Sequence, residues 1–124
     1  MLMKDGFIRV AAATPKIRVA DCIYNEEQME NDIRQAAERG AKLIVFPELC
    51  LTGYTCGDLF LQRSLLDGAA AALEELIRFS KNEDMVIVAG LPVSIGQKLY
   101  NVAAIVQKGV LLGLVPKTNI PNYS

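Results

Sequence analysis

The chain has 124 residues, of which 52% are hydrophobic and 22% charged, and it carries a net charge of −1. That composition supplies a core and excludes a disordered chain. It also removes any electrostatic reason to expect nucleic acid or an anionic membrane as partner. No apolar run approaches the roughly 18 residues needed to span a bilayer. The start, Met1-Leu-Met-Lys-Asp-Gly, lacks the apolar segment of a signal peptide. The reading is a cytoplasmic protein that forms one domain or a piece of one.

Residues 7–13 (FIRVAAA) are a short apolar run that reads as a buried strand, ended by Pro15 and the charges that follow. Asn25 then has the features of a helix N-cap, with Glu26 and Glu27 in an acidic first turn and Gln28 at the third helical position. Met29, Ile33, Ala36 and Ala37 recur on one helical face, and Arg39-Gly40 supplies the stop. Residues 42–46 (KLIVF) form a continuous apolar run between Gly40 and Pro47, as expected of a strand covered on both faces. Strand, helix, strand in this order is the βαβ pattern of a layered α/β domain.

Residues 49–61 are irregular. A second helix is expected from Ser64 to about Asn82, with Leu65, Leu66, Ala69, Ala72, Leu73, Leu76 and Ile77 as its apolar stripe. Residues 85–91 (MVIVAGL) read as a buried strand broken by Pro92, and residues 99–107 as another. Lys108-Gly109 is a tight turn that returns residues 110–115 as a hairpin partner. Residues 116–124 are turn-rich. No helix follows to cover the later strands, so their apolar faces need more chain or another subunit.

The chain contains no histidine. A Ser-His-Asp site, a Cys-His site and a histidine-ligated metal are therefore excluded from this segment. Any proton transfer falls to a carboxylate, a lysine or a tyrosine. The three cysteines, Cys22, Cys50 and Cys56, are an odd number without metal-ligand or redox spacing, and read as small buried apolar residues.

Glu48 lies just past the carboxyl end of the 42–46 strand, where α/β sheets bind their ligands. Flanked by Phe46, Pro47 and Leu49, its carboxylate would be poorly solvated, which suits a general base. An ordinary loop glutamate is the plainer reading. Lys117 follows Val115-Pro116 at the end of another strand and could hold a developing oxyanion, or stand as a solvated loop lysine. Tyr54 and Tyr123 each lie six residues after their charged candidate, and suit either orienting a polar ligand or half-buried packing. Gly90 reads as a site of close backbone packing, and Asn101 as a residue that ties down a turn.

These pieces stand in a familiar order. Leu43-Ile-Val-Phe-Pro-Glu48-Leu resembles the glutamate motif of the nitrilase (carbon–nitrogen hydrolase) superfamily. Gly90-Leu-Pro-Val, Tyr100-Asn101 and Gly113-Leu-Val-Pro-Lys117 are similar to the segments that follow it in that family. Leu51-Thr-Gly-Tyr54-Thr-Cys-Gly-Asp-Leu-Phe-Leu-Gln62 and Pro116-Lys-Thr-Asn-Ile-Pro-Asn-Tyr123 look like the glutaminase domain of glutamine-dependent NAD synthetases. The resemblance implies an α/β/β/α sandwich with a Glu-Lys-Cys triad. It makes Glu48 the general base and Lys117 the oxyanion stabiliser, with Tyr54 and Tyr123 lining the glutamine pocket. It also implies a homo-oligomer, no metal in this segment, and a separate synthetase domain that uses ATP and Mg2+ to amidate nicotinic acid adenine dinucleotide.

The family's nucleophilic cysteine lies well downstream of the lysine, whereas all three cysteines here precede Lys117. The expectation is therefore that residues 1–124 are about the first half of one glutaminase domain, inactive alone and without the synthetase domain. Such a segment would be either a shortened chain or a fragmentary gene product. The alternatives are a stand-alone nitrilase-type amidase and a non-catalytic assembly module.

Overall fold

The computed structural model of the chain describes residues 7–53 and 62–119. A short edge strand, β1 (Val10–Ala12), leads to helix α1 (Cys22–Glu38) and strand β2 (Leu43–Val45). Helix α2 (Arg63–Phe79) runs into a 3₁₀ turn at Ser80–Asn82. Three long strands follow: β3 (Val86–Ile95), β4 (Lys98–Gln107) and β5 (Val110–Asn119). They form one sheet in chain order, with β1, β2 and β3 parallel and β4 and β5 antiparallel. The fold is α/β, as expected. Among the described residues no helix is long and apolar enough to cross a membrane.

Both helices are crossovers between neighbouring parallel strands. Right-handed connections running the same way along a sheet put both on one face. Ile44, Ile87, Ala89, Leu91, Val102, Ala104 and Val106 alternate along β2, β3 and β4 and are buried on that face. Met29, Ile33 and Ala36 of α1 and Leu65, Ala69, Ala72, Leu73 and Leu76 of α2 complete this core. The opposite face is open among the described residues, with Val45 41% exposed and Val115 49%. Among the described residues the run at 42–46 is covered by helices on one face only.

The first helix corrects a sequence expectation. It starts at Cys22, and its N-cap is Asp21, whose side chain accepts from the Tyr24 backbone N–H at 3.1 Å. Such a cap contributes about 1 kcal/mol. Asn25 is instead buried within the helix. Its amide accepts from the Arg18 N–H at 2.7 Å and donates to the carbonyls of Arg18 and Leu51 at 2.8 and 3.0 Å. Asn25 therefore ties two loops together. Glu26 and Glu27 lie beyond the first turn, and Glu26 is buried.

The prolines are also accommodated differently from the expectation. β3 continues through Pro92 to Ile95, with Pro92 opposite Asn101. The carbonyls of Val88 and Gly90 accept from Phe46 and Leu51, so every second backbone group of β3 faces the β2 side. Pro92 is next in that alternation. The pairing with β2 has already ended at Val88, so the absent N–H costs no ladder bond. Gly96 (φ +63°) opens a two-residue hairpin into β4, which periodicity alone had not revealed. Lys108 and Gly109, both at positive φ, form the second hairpin as anticipated. β5 then runs through Pro116 to Asn119, where the sequence suggested turns.

Candidate active site

Strand direction selects the residues that can meet. The carboxyl ends of β2 and β3, the start of β4 and the end of β5 all lie at one edge of the sheet. Glu48 follows β2, Asn101 lies near the start of β4, and Lys117 lies near the end of β5. Neighbouring strands are about 4.8 Å apart. Glu48 must therefore cross β3 to reach β4.

Gly90 makes that crossing possible. The turn after β2 folds over β3 at this glycine, with the Leu51 N–H donating to the Gly90 carbonyl at 3.1 Å. A Cβ at position 90 would collide with the Leu49 backbone nitrogen and come within 2.9 Å of the Pro47 carbonyl and 3.1 Å of the Glu48 carbonyl carbon. Leu49 itself adopts φ +55°, a region costly for a leucine. The turn is held by bonds from Cys50 N to Pro47 O at 3.3 Å and from Gly53 N to Leu49 O at 2.8 Å. The sequence reading of Gly90 as a point of close backbone approach agrees with this geometry.

At the edge, Asn101 Nδ2 donates to Glu48 Oε1 at 2.6 Å. Lys117 Nζ lies 3.7 Å from the same oxygen. Asn101 is buried, with its Oδ1 shielded from solvent and without a partner among the described residues. The sequence placed Asn101 in a turn-tying role; here it bonds the candidate base across 53 residues of chain. One signal was available, an amide side chain interrupting the apolar run Leu99-Tyr-Asn-Val-Ala-Ala.

Lys117 is presented by an irregularity in β5. Asn101 pairs with Thr118 while Val102 pairs with Pro116, so Lys117 is the extra residue of a bulge. Bulges re-aim a side chain out of the strand's alternation. This places the ammonium beside the carboxylate and not along the strand. The Glu48 side chain is 34% exposed and that of Lys117 54%. The carboxylate is thus more open to solvent than its apolar sequence neighbours suggested, because exposed Pro47 offers it little cover.

Cys50 stands two residues from Glu48 yet belongs to the core. Its Sγ lies 3.7 Å from Met29 Sδ and 3.7 Å from the Gly90 carbonyl. Burial pushes its thiol up to about 11, away from the range of a reactive thiolate. Cys22 is buried as well. Both match the reading of small core residues. Tyr54, Tyr123 and Cys56 lie outside the described residues. Among the described residues, no cluster of His, Cys, Asp and Glu could hold a metal ion.

A carboxylate and an ammonium held together at the carboxyl edge of a mixed sheet define an α/β protein equipped for histidine-free acid–base chemistry. The comparisons with known proteins give the family. The carbon-nitrogen hydrolase family matches residues 9–123, and the chain belongs to that family. Over 120 residues, or 97% of the chain, it is 40% identical to a glutamine-dependent NAD(+) synthetase of Mycobacterium bovis, covering 18% of that protein. It superposes on the crystal structure of a glutamine-dependent NAD(+) synthetase from Cytophaga hutchinsonii with a TM-score of 0.84 and 29% identity, over 93% of this chain and 20% of that one. An amidase from Nesterenkonia sp. shares the fold at a TM-score of 0.74 and 23% identity, over 93% of this chain and 44% of the amidase. The chain spans about a fifth of the synthetases it resembles.

Proposed function

We propose that this chain is the first half of a glutaminase domain of a glutamine-dependent NAD synthetase, with Glu48 as general base and Lys117 as oxyanion stabiliser. The observation that carries the reading is the convergence of Asn101 and Lys117 on one oxygen of Glu48, in a chain 40% identical to the mycobacterial enzyme.

The chemistry follows from the arrangement. A cysteine thiol gives its proton to Glu48, and the thiolate attacks the side-chain amide carbon of glutamine. The carbonyl oxygen gains negative charge, which the Lys117 ammonium stabilises. The tetrahedral adduct collapses, the C–N bond breaks, and the nitrogen leaves as ammonia with the proton returned from Glu48. Water then attacks the thioester, losing a proton to Glu48, and glutamate departs as the thiol is re-formed. Tyr54 and Tyr123 are proposed to line the glutamine pocket.

The thiol is proposed to come from chain that follows Lys117, since Cys50 and Cys22 are buried and all three cysteines precede the lysine. Residues 1–124 alone are then inactive. In the complete enzyme a synthetase domain, with ATP and Mg2+, uses the ammonia to amidate nicotinic acid adenine dinucleotide. The open sheet face, with Val10, Val45 and Val115 exposed, supports burial by the remainder of the domain and assembly into a homo-oligomer. A cytoplasmic location belongs to the same reading.

The test joins this segment to the downstream part of the domain and measures glutamate release from glutamine. Glu48→Gln is expected to lower kcat by at least about 10²-fold. Near-normal turnover in that variant would remove Glu48 from the catalytic role. Robust glutaminase activity in residues 1–124 alone would remove the external cysteine.

A further inference from the structure

We infer that Asn101 is the positioning residue of this site, holding Glu48 by Oε1 so that Oε2 alone is left to exchange protons with the nucleophile. The inference rests on the glutaminase reading and adds a division of labour between the two carboxylate oxygens.

The geometry gives three independent reasons. First, Asn101 Nδ2 donates to Oε1 at 2.6 Å and the Lys117 ammonium faces the same oxygen at 3.7 Å, so both groups engage Oε1 rather than Oε2. A proton arriving at Oε1 would have to displace the Asn101 amide and approach against the Lys117 charge; one arriving at Oε2 need not displace that amide. Second, the orientation of the Asn101 amide is settled by its partner. An ionised carboxylate is an acceptor only, so the NH₂ end must face it. Third, Asn101 is itself immobile. Its side chain is buried, and its backbone is paired on both sides, with Pro92 of β3 and Thr118 of β5. Glu48, by contrast, sits on a turn and is one-third exposed. A glutamate there has rotamer freedom that a bond to a fixed strand residue removes, and a general base gains from being held in one geometry.

Lys117 cannot substitute for this function. Its side chain is 54% exposed and its nitrogen lies beyond hydrogen-bond distance of Oε1. It supplies charge, while Asn101 supplies direction.

The test uses the segment joined to the downstream part of the domain, with Glu48→Gln as a parallel control. Asn101→Ala removes the donor. It is expected to lower kcat for glutamine hydrolysis by about 10–100-fold, as expected for a misplaced reacting group, while KM changes less than about threefold and the unfolding transition remains cooperative. Asn101→Asp keeps the shape and replaces the donor with a second carboxylate facing Glu48. It is expected to lose more than the alanine variant near neutral pH, and it carries the test if alanine fails to fold. A kcat within twofold of wild type in the variant that folds, with Glu48→Gln inactive, overturns the positioning role and leaves the glutaminase reading standing. An active Glu48→Gln removes the base itself, and with it both readings. A rise in KM with unchanged kcat would assign Asn101 to substrate binding and overturn the inference.

Discussion

Glu48 lies directly over Gly90 of β3: the turn carrying Glu48 comes so close that a Cβ at position 90 would be 3.1 Å from the Glu48 carbonyl carbon. The site depends on this contact, because Glu48 must pass over β3 to meet Asn101 on β4. Gly90→Ala is therefore expected to destabilise the fold by about 1–3 kcal/mol, the usual cost of overpacking. Thermal or urea unfolding measures it. The obstructing atoms are backbone rather than a side-chain end that could swing away. An unchanged midpoint would show that the turn is free to lift.

Asn25 offers a second prediction. It satisfies a backbone N–H and two carbonyls from residues 18 and 51. Asn25→Ala strands these groups and should cost about 2–4 kcal/mol, because each buried group left unpaired carries its desolvation penalty. Asn25→Asp should be at least as damaging near neutral pH, since it loses the two donated bonds and buries a charge. Urea midpoints at constant slope check both variants.

Glu26 makes stability depend on pH. It is 3% exposed, and its Oε2 has no partner among the described residues. Burial, the hydrogen bond to Glu30 and the charges of Glu30, Glu75 and Glu27 push its carboxyl from the ordinary 4.5 up to about 9. Between those values the folded chain keeps a proton that the unfolded chain releases. Stability from this group is therefore complete below about pH 4.5, declines as pH rises, and levels off above about pH 9. Glu26→Gln is expected to raise the melting temperature at pH 8 and to change it little at pH 4.5. An equal shift at both pH values would assign the effect to packing instead of charge.

The apolar stripes of both helices, the order of strands and the position of Glu48 at a strand end were readable from residues alone. Those features follow from local periodicity, and a helix face or a strand end is defined within one stretch of chain. The absence of histidine likewise narrows the chemistry open to this segment. What the chain order could not determine depends on partners far away in sequence. Asn25 had the sequence features of a cap, yet Asp21 takes that place, because residues 18 and 51 offer Asn25 buried backbone groups. Pro92 and Pro116 looked like strand ends, but each is tolerated where it costs no ladder bond or lies on an edge strand. The bulge that turns Lys117 toward Glu48 exists only in the register between β4 and β5. The sequence by itself determined that a carboxylate and a lysine stand at strand ends. The pairing of strands decided that Asn101 and Lys117 reach the same oxygen of Glu48, because register sets which distant side chains share an edge.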